Sequence, residues 1–286
     1  MRIPFRLVDV FTDVPFAGNQ LCVVTNPPRE LDAASMQTLA REIGFSETTF
    51  VTSTRPGGYD VRIFTPVSEL PFAGHPTLGT AYTLASEGRT GAEVIQRCPA
   101  GDIPVKVDAA SETAWMRQLP PVFDSTYKDR ASVAAAAGLD ADDIVAELPI
   151  VPVSTGIAHL MVPVRDELAL RRAVRDDRGC LRVCEDAGAE SLYLFTVRGS
   201  GDVMARMFDR SGTIGEDPAT GSAAGPLGAY LATHGLANMP GSCVIAQGEL
   251  TGRPSFLHVD VASQDGGWSI HVGGGVRIVG EGVFEL

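Results

Sequence analysis

Apolar and polar positions alternate over residues 3–11 well enough for a strand, and 21–25, 49–52 and 59–65 read as further strands, so the chain opens as strands. A helical spacing follows at 33–43, where Leu39, Ala40 and Ile43 share one face, Asp32 offers a cap and Gly44 a stop. Two further apolar segments read as helices, 76–87 and 218–234, and each runs out at a glycine, Gly88 and Gly235. Gly225-Pro226 is expected to kink the second. Strands are expected at 94–97, 103–107 and 114–118, before Leu119-Pro120-Pro121 breaks the pattern. Beyond it, 127–148 reads as short helices rich in Ala and Asp. Then come strands at 149–154 and 159–164, a helix at 166–174, and strands at 191–197 and 202–208. Short strands with glycine turns finish the chain. Few helices and many strands make the class α+β. The Pro-Pro break divides the chain into domains at 1–120 and 121–286, with the final strand free to return to the first.

One motif occurs twice. Gly74-His75-Pro76-Thr77-Leu78-Gly79-Thr80-Ala81 and Glu216-Asp217-Pro218-Ala219-Thr220-Gly221-Ser222-Ala223 both fit x-polar-Pro-x-x-Gly-Ser/Thr-Ala, at an offset of 142 residues. Val61-Arg62-Ile63-Phe64 and Ala205-Arg206-Met207-Phe208 precede them. The pattern reads as two halves on one plan: strand, loop, helix. Pro is favoured at the first helical position, which places His75 and Asp217 as N-caps. Small residues around them leave the first-turn amides open, and such a helix start attracts anions. Two such starts could face each other across a cleft and hold a carboxylate or a developing enolate. Alternatively they are two well-capped helices, and the repetition is what points to a site.

With 286 residues, 44% hydrophobic and 20% charged, the chain can build one large or two modest domains with a real core. Its net charge of −12 argues against nucleic acid and anionic membrane as partners. An anionic metabolite would need local positive potential, which helix starts supply. No apolar run reaches transmembrane length and Met1-Arg2-Ile3-Pro4 is no signal peptide, so a cytoplasmic protein is expected. Cys22, Cys98, Cys180, Cys184 and Cys243 show no metal spacing and read as reduced, ordinary residues. Gly74-x₄-Gly79 lacks the Lys-Ser/Thr of a phosphate loop, no G-x-G-x-x-G opens a helix, and Ser222 lacks a nucleophile elbow. His159, His234, His258 and His271 show no ligand spacing and read as structural or surface residues. No metal and no cofactor is expected.

Phe11-Thr12, Gly18-Asn19, Phe45-Ser46-Glu47-Thr48, Phe64-Thr65-Pro66, the two octapeptides and Ala100-Gly101 come in the order seen in PhzF-like proteins, the phenazine-biosynthesis isomerase family. The chain resembles that family over essentially its whole length. The resemblance implies the diaminopimelate-epimerase-like fold: two similar domains, each a β-structure wrapped around a central helix, with the active site in the interdomain cleft. It implies cofactor-independent acid/base isomerisation, usually by a homodimer, with trans-2,3-dihydro-3-hydroxyanthranilate as the founding substrate. It assigns proton transfer to Glu47, assisting roles to His75 and Asp217, and the substrate site to Gly74 and Ser222. Ser46, Gly221 and Asn19 complete the candidate binding set. Gln20 departs from the family's usual Gly-Asn-Pro. Thiol-dependent epimerases carry cysteines at the helix starts, and neither octapeptide here contains one.

The residues also speak for themselves. Glu47 stands between Phe45 and Phe50, next to a helix end, where partial burial would raise its pKa towards neutrality and suit it to take and give a proton. A solvated loop glutamate is the plainer reading of the same spacing, as a turn residue is for Asn19. His75 and Asp217 could share a proton or hold a substrate amino group. The expected activity is isomerisation of a small cyclic carboxylated metabolite. The alternatives are a non-thiol racemase or epimerase, and a catalytically silent binding protein on the same fold.

Overall fold

The computed structural model describes residues 2–212 and 214–286. The chain forms two compact units, one running to Arg117 and taking in Gly273–Leu286, the other Gln118–Val272. The first holds β1 (Arg2–Val10), β2 (Asn19–Val24), α1 (Ala33–Ile43), β3 (Glu47–Arg55), β4 (Gly58–Phe64), β5 (Glu69–Leu70), α2 (Gly74–Ser86), β6 (Glu93–Cys98), β7 (Gly101–Asp108) and β8 (Thr113–Arg117). The second holds β9 (Val122–Phe123), α3 (Arg130–Ala136), β10 (Val151–Ser154), β11 (Ala158–Pro163), α4 (Glu167–Arg172), α5 (Asp177–Ala187), β12 (Ser191–Val197), β13 (Val203–Asp209), β14 (Glu216–Asp217), α6 (Gly221–His234), β15 (Gly241–Gln247) and β16 (Ser255–Gln264). The last strand, β17 (Gly267–Glu285), begins in the second unit and ends in the first.

In the first unit the strands close on themselves. β1 pairs with β2, β2 in parallel with β3, β3 with β4, β4 in parallel with β6, β6 with β7, and β7 with β8. β17 lies beside β8 and pairs antiparallel with β1, which completes the circuit. Closure removes the unpaired sheet edge. α2 packs against β1, β2, β3, β6, β7 and β8 and is buried without interruption from Gly74 to Leu84. A helix buried on every side has no solvent face to present, so it fits only where strands enclose it. Gly79 lets it come close: a Cβ there would stand 2.6 Å from Leu21 Cδ2 and 2.9 Å from Val10 Cγ2.

The second unit repeats the plan. β10 and β11 pair antiparallel, β11 runs parallel to β12, β12 antiparallel to β13, β13 parallel to β15, and β15 antiparallel to β16. α6 is buried from Gly221 to Ala232 and packs against β10, β11, β15 and β16. A separate core joins α3, α4 and α5 to the outer face of this sheet through Val133, Leu170, Cys180, Leu192 and Leu194. The α+β class is as expected, with each central helix set in β-structure.

Three local expectations are corrected. The central helices start at Gly74 and Gly221, so their N-caps are Ala73 and Thr220 rather than His75 and Asp217. Pro76 is still tolerated, because at the third helical position its missing N–H would have had no intrahelical acceptor. α5 was not expected, although Asp176 caps it and Gly188 ends it in the left-handed region at φ 65°. The chain ends in one 19-residue strand, not several short ones. Its glycines lie within β17: a Cβ on Gly282 would stand 2.5 Å from the Phe5 ring.

Candidate active site

Glu47 is the first residue of β3, just beyond Gly44, which closes α1 at φ 70°. His75 is the second residue of α2, and its Nε2 lies 3.4 Å from Glu47 Oε2, with the two side chains 5% and 12% exposed. Burial pushes the His75 pKa down to about 3, against a hydrogen bond to the Gln20 backbone that favours the cation. The imidazole is therefore neutral. A backbone partner that favours the cation is a carbonyl, so the nitrogen facing Gln20 carries the proton. Nε2 faces Glu47, and we assign the Nδ1–H tautomer. Nε2 then offers a lone pair to the carboxyl. That lone pair repels a carboxylate oxygen and accepts from a carboxylic acid, so the 3.4 Å contact suits a bond that tightens when Glu47 takes a proton.

The surroundings hold this pair in place. Ser46 Oγ donates to Asn19 Oδ1 at 3.1 Å, joining the start of β2 to the residue before Glu47. Thr49 and Thr80 hydroxyls bond at 2.8 Å between β3 and α2. Tyr59 donates to Gln96 Oε1 at 3.0 Å, and Gln96 Nε2 donates to Thr77 Oγ1 at 2.7 Å, which fixes the first turns of the helix from the other side. Gly74 is the first residue of α2.

In the second unit Asp217 lies in β14, ahead of the helix and buried. Thr220 Oγ1 donates to its Oδ2 at 2.6 Å. Gln247 Nε2 donates to the Asp217 carbonyl at 2.8 Å and to Thr220 Oγ1 at 3.0 Å, and is itself held by Tyr193 OH at 2.9 Å from its Oε1. Gly221 opens α6, and its carbonyl accepts from Gln118 Nε2 at 2.8 Å. Ser222 Oγ lies 3.0 Å from His159 Nε2, whose Nδ1 is 2.8 Å from Ser191 Oγ. His159 is 2% exposed, and burial pushes its pKa down to about 3. From its spacing alone His159 is expected to be a structural or surface residue. Its only signal was position in a strand, and no spacing links it to Ser191 or Ser222.

The starts of α2 and α6 differ from those of the other α-helices among the described residues. α1, α3, α4 and α5 are each capped by an aspartate, Asp32, Asp129, Asp166 and Asp176, whose carboxyl accepts from the amide three residues on. Neither α2 nor α6 has a side-chain cap bond. First-turn amides lack intrahelical acceptors, so these two starts keep the donor character that anions seek. Among the described residues no cluster of three or more His, Cys, Asp or Glu could hold a metal ion. No helix among them is long and apolar enough to cross a membrane.

The repeat itself takes a different register from the one the octapeptides suggested. In each unit an arginine grips a glutamate through two bonds: Arg62 to Glu69 at 2.7 and 2.6 Å, Arg206 to Glu216 at 2.8 and 2.6 Å. Each guanidinium also sits over a phenylalanine, 5.1 Å from the Phe64 centroid and 4.9 Å from that of Phe208. β5 and β14 hang from these clamps and lead into the helices. Glu69, Pro71, Gly74, His75 and Gly88 thus correspond to Glu216, Pro218, Gly221, Ser222 and Gly235, an offset of 147. The counterpart of His75 is Ser222, and Asp217 answers to Leu70.

A model of the phenazine biosynthesis-like protein family matches residues 8–285. The chain belongs to this family. It is 35% identical over 258 residues to a trans-2,3-dihydro-3-hydroxyanthranilate isomerase of Pseudomonas fluorescens, covering 88% of each chain. It is 32% identical over 267 residues to an uncharacterized isomerase of Escherichia coli (strain K12), covering 90% of each. The crystal structure of the Bacillus anthracis phenazine biosynthesis protein of the PhzF family superposes with a TM-score of 0.89 at 27% identity, over 100% of both chains. The chain is accordingly an isomerase with the PhzF-family fold.

Proposed function

We propose that the protein shifts a proton within a small cyclic carboxylated metabolite, of the trans-2,3-dihydro-3-hydroxyanthranilate type, without a cofactor. The observation that carries this reading is the Glu47 carboxyl 3.4 Å from a buried, neutral His75 at the uncapped start of α2. Glu47 as carboxylate takes a proton from a carbon next to an unsaturated system and becomes the acid. Its O–H then has His75 Nε2 as acceptor, and the electron pair left on the substrate spreads over the conjugated system. Glu47 returns the proton to a different carbon, so the atoms balance and a double bond has moved. Asp217 assists in this proposal. Gly74, Gly221, Ser222, Ser46 and Asn19 bind the substrate, with helix-start amides holding the carboxylate. Membership of a family whose named relatives are isomerases supports the reading. A homodimer in the cytoplasm belongs to the same proposal.

The test is turnover of trans-2,3-dihydro-3-hydroxyanthranilate followed by NMR in D₂O. The expected result is an isomer carrying solvent deuterium at the new C–H position, or the original proton where Glu47 returns it before exchange. No isomerisation of this acid or of related cyclic carboxylates would overturn the reading.

A further inference from the structure

His159 has no place in the proton transfer just described, yet it is a buried imidazole bonded at both nitrogens. Its setting gains meaning from the repeat. Phe50 of β3 stands opposite Arg62, and Leu194 of β12 opposite Arg206. Counting back from these pairs, Glu47 and Ser191 are the first residues of matching strands. His75 and Ser222 are the second residues of matching helices. The positions that hold a carboxyl and an imidazole in one unit hold two hydroxyls in the other. His159 fills the gap between those hydroxyls, at 2.8 Å from Ser191 and 3.0 Å from Ser222.

The ring's tautomer decides what Ser222 can do. A neutral imidazole has one N–H and one acceptor nitrogen. With the proton on Nδ1, Ser222 must spend its own hydrogen on Nε2. With the proton on Nε2, Ser191 donates to Nδ1, the ring donates to Ser222, and the Ser222 hydrogen is released. Ser222 stands in the first turn of an uncapped helix, where the dipole favours negative charge and a further donor strengthens its capture. We propose that His159 is a positioning residue, which through its Nε2–H tautomer sets the Ser222 hydroxyl as a donor to a ligand carboxylate at the start of α6. The inference rests on the reading of the protein as an isomerase of carboxylated metabolites.

The experiment uses anthranilate as the carboxylate probe, with titration calorimetry and ¹⁵N spectra of the histidine rings in the saturated protein. The bound state should show His159 protonated at Nε2. His159→Leu keeps bulk and loses the donor, and should weaken anthranilate roughly tenfold or more, the size of one charge-assisted hydrogen bond. His159→Gln places an amide N–H near the lost Nε2 and should recover most of that affinity. Ser222→Ala should cost as much as His159→Leu, and the double variant little more, because one acts through the other. In turnover the loss should fall on KM more than on kcat. Should His159→Leu fail to fold, Ser191→Ala removes only the hydroxyl at Nδ1 and should still weaken binding about threefold, a fraction of one hydrogen bond. An Nδ1–H tautomer in the complex, additive losses at His159 and Ser222, or unchanged affinity in Ser191→Ala would each overturn the inference and leave the roles of Glu47 and His75 standing. Failure of a wild type that turns over a cyclic carboxylate to bind anthranilate would overturn the inference alone, and failure to turn over any cyclic carboxylate would overturn it together with the proposed function.

Discussion

The two central helices begin alike in backbone and unlike in chemistry. Each follows an Arg–Glu clamp and a two-residue strand, and each starts at a glycine without a side-chain cap; α6 closes on Gly235, and α2 on Glu87 just ahead of Gly88. At the start of α2 the second residue is an imidazole facing a carboxyl, and the ring is pinned by a backbone carbonyl that cannot rotate. At the start of α6 the second residue is a hydroxyl facing an imidazole, and that ring is held by hydroxyls that can turn. The first arrangement can change its protonation state. The second holds a neutral imidazole between two hydroxyls, whose hydrogen bonds can reverse direction. Under the proposed function, one plan would serve proton transfer at one start and recognition at the other.

The largest expected effect breaks the comparison on its catalytic side. Glu47→Gln keeps shape and hydrogen bonding and cannot carry a proton, so kcat should fall about 10²–10⁴-fold with KM little changed. Circular dichroism should show an intact fold. If more than about a tenth of kcat remained, less than about 1.4 kcal/mol would be at stake, and Glu47 would not be the essential base.

Much of this was legible in sequence, and the errors have physical causes. Strand alternation and helix stops located most elements, because Gly44 and Gly235 occupy left-handed positions that few other residues accept. The octapeptides located the two helix starts but set their register wrong by five residues. Proline points to the first helical residue, whereas the clamp and the short strand decide where the helix begins. The signal lay in the helix ends, since Gly88 and Gly235 are 147 apart, as are Glu69 and Glu216. His159 was beyond reach, because its partners lie 32 and 63 residues away and only strand pairing and helix packing bring them together.

The clamps offer a sharper test at the next scale. Arg206 is 8% exposed at its side chain and Arg62 33%. Glu216→Gln would leave a buried guanidinium short of its counter-charge, at about 3–5 kcal/mol. Glu69→Gln would leave Arg62 beside water, at about 0–1 kcal/mol. Urea unfolding of both variants measures the difference. Equal losses would show that burial does not distinguish the two repeats.

Acid should act on both histidines. His75 and His159 each have a folded pKa near 3, below the ordinary value of 6.5. Between those values the unfolded chain binds more protons than the folded one, so stability is full above about pH 6.5 and falls as the pH drops. Each ring contributes a slope of up to about 1.4 kcal/mol per pH unit in that window. Removing one ring, as in His159→Gln, should flatten the stability curve by one such slope, measured by urea unfolding from pH 7 to pH 4. An unchanged curve would mean that His159 is charged in the folded protein.

The smallest expected effect concerns the thiols, which neither helix start contains. Cys22, Cys180, Cys184 and Cys243 are buried and Cys98 is half-buried. Burial pushes Cys22 and Cys243 up to about 12 and raises Cys98 as well. Cys180 alone is lowered, first by its hydrogen bond with Cys184 and then by Arg175. The reactive form is the thiolate. The accessible cysteine is therefore poorly ionised, and the ionisable one is shielded from reagent. Iodoacetamide under native conditions should leave turnover nearly intact. Loss of activity in step with alkylation of one cysteine, with the fold unchanged, would place a thiol in the chemistry and remove the contrast on which the two helix starts are assigned.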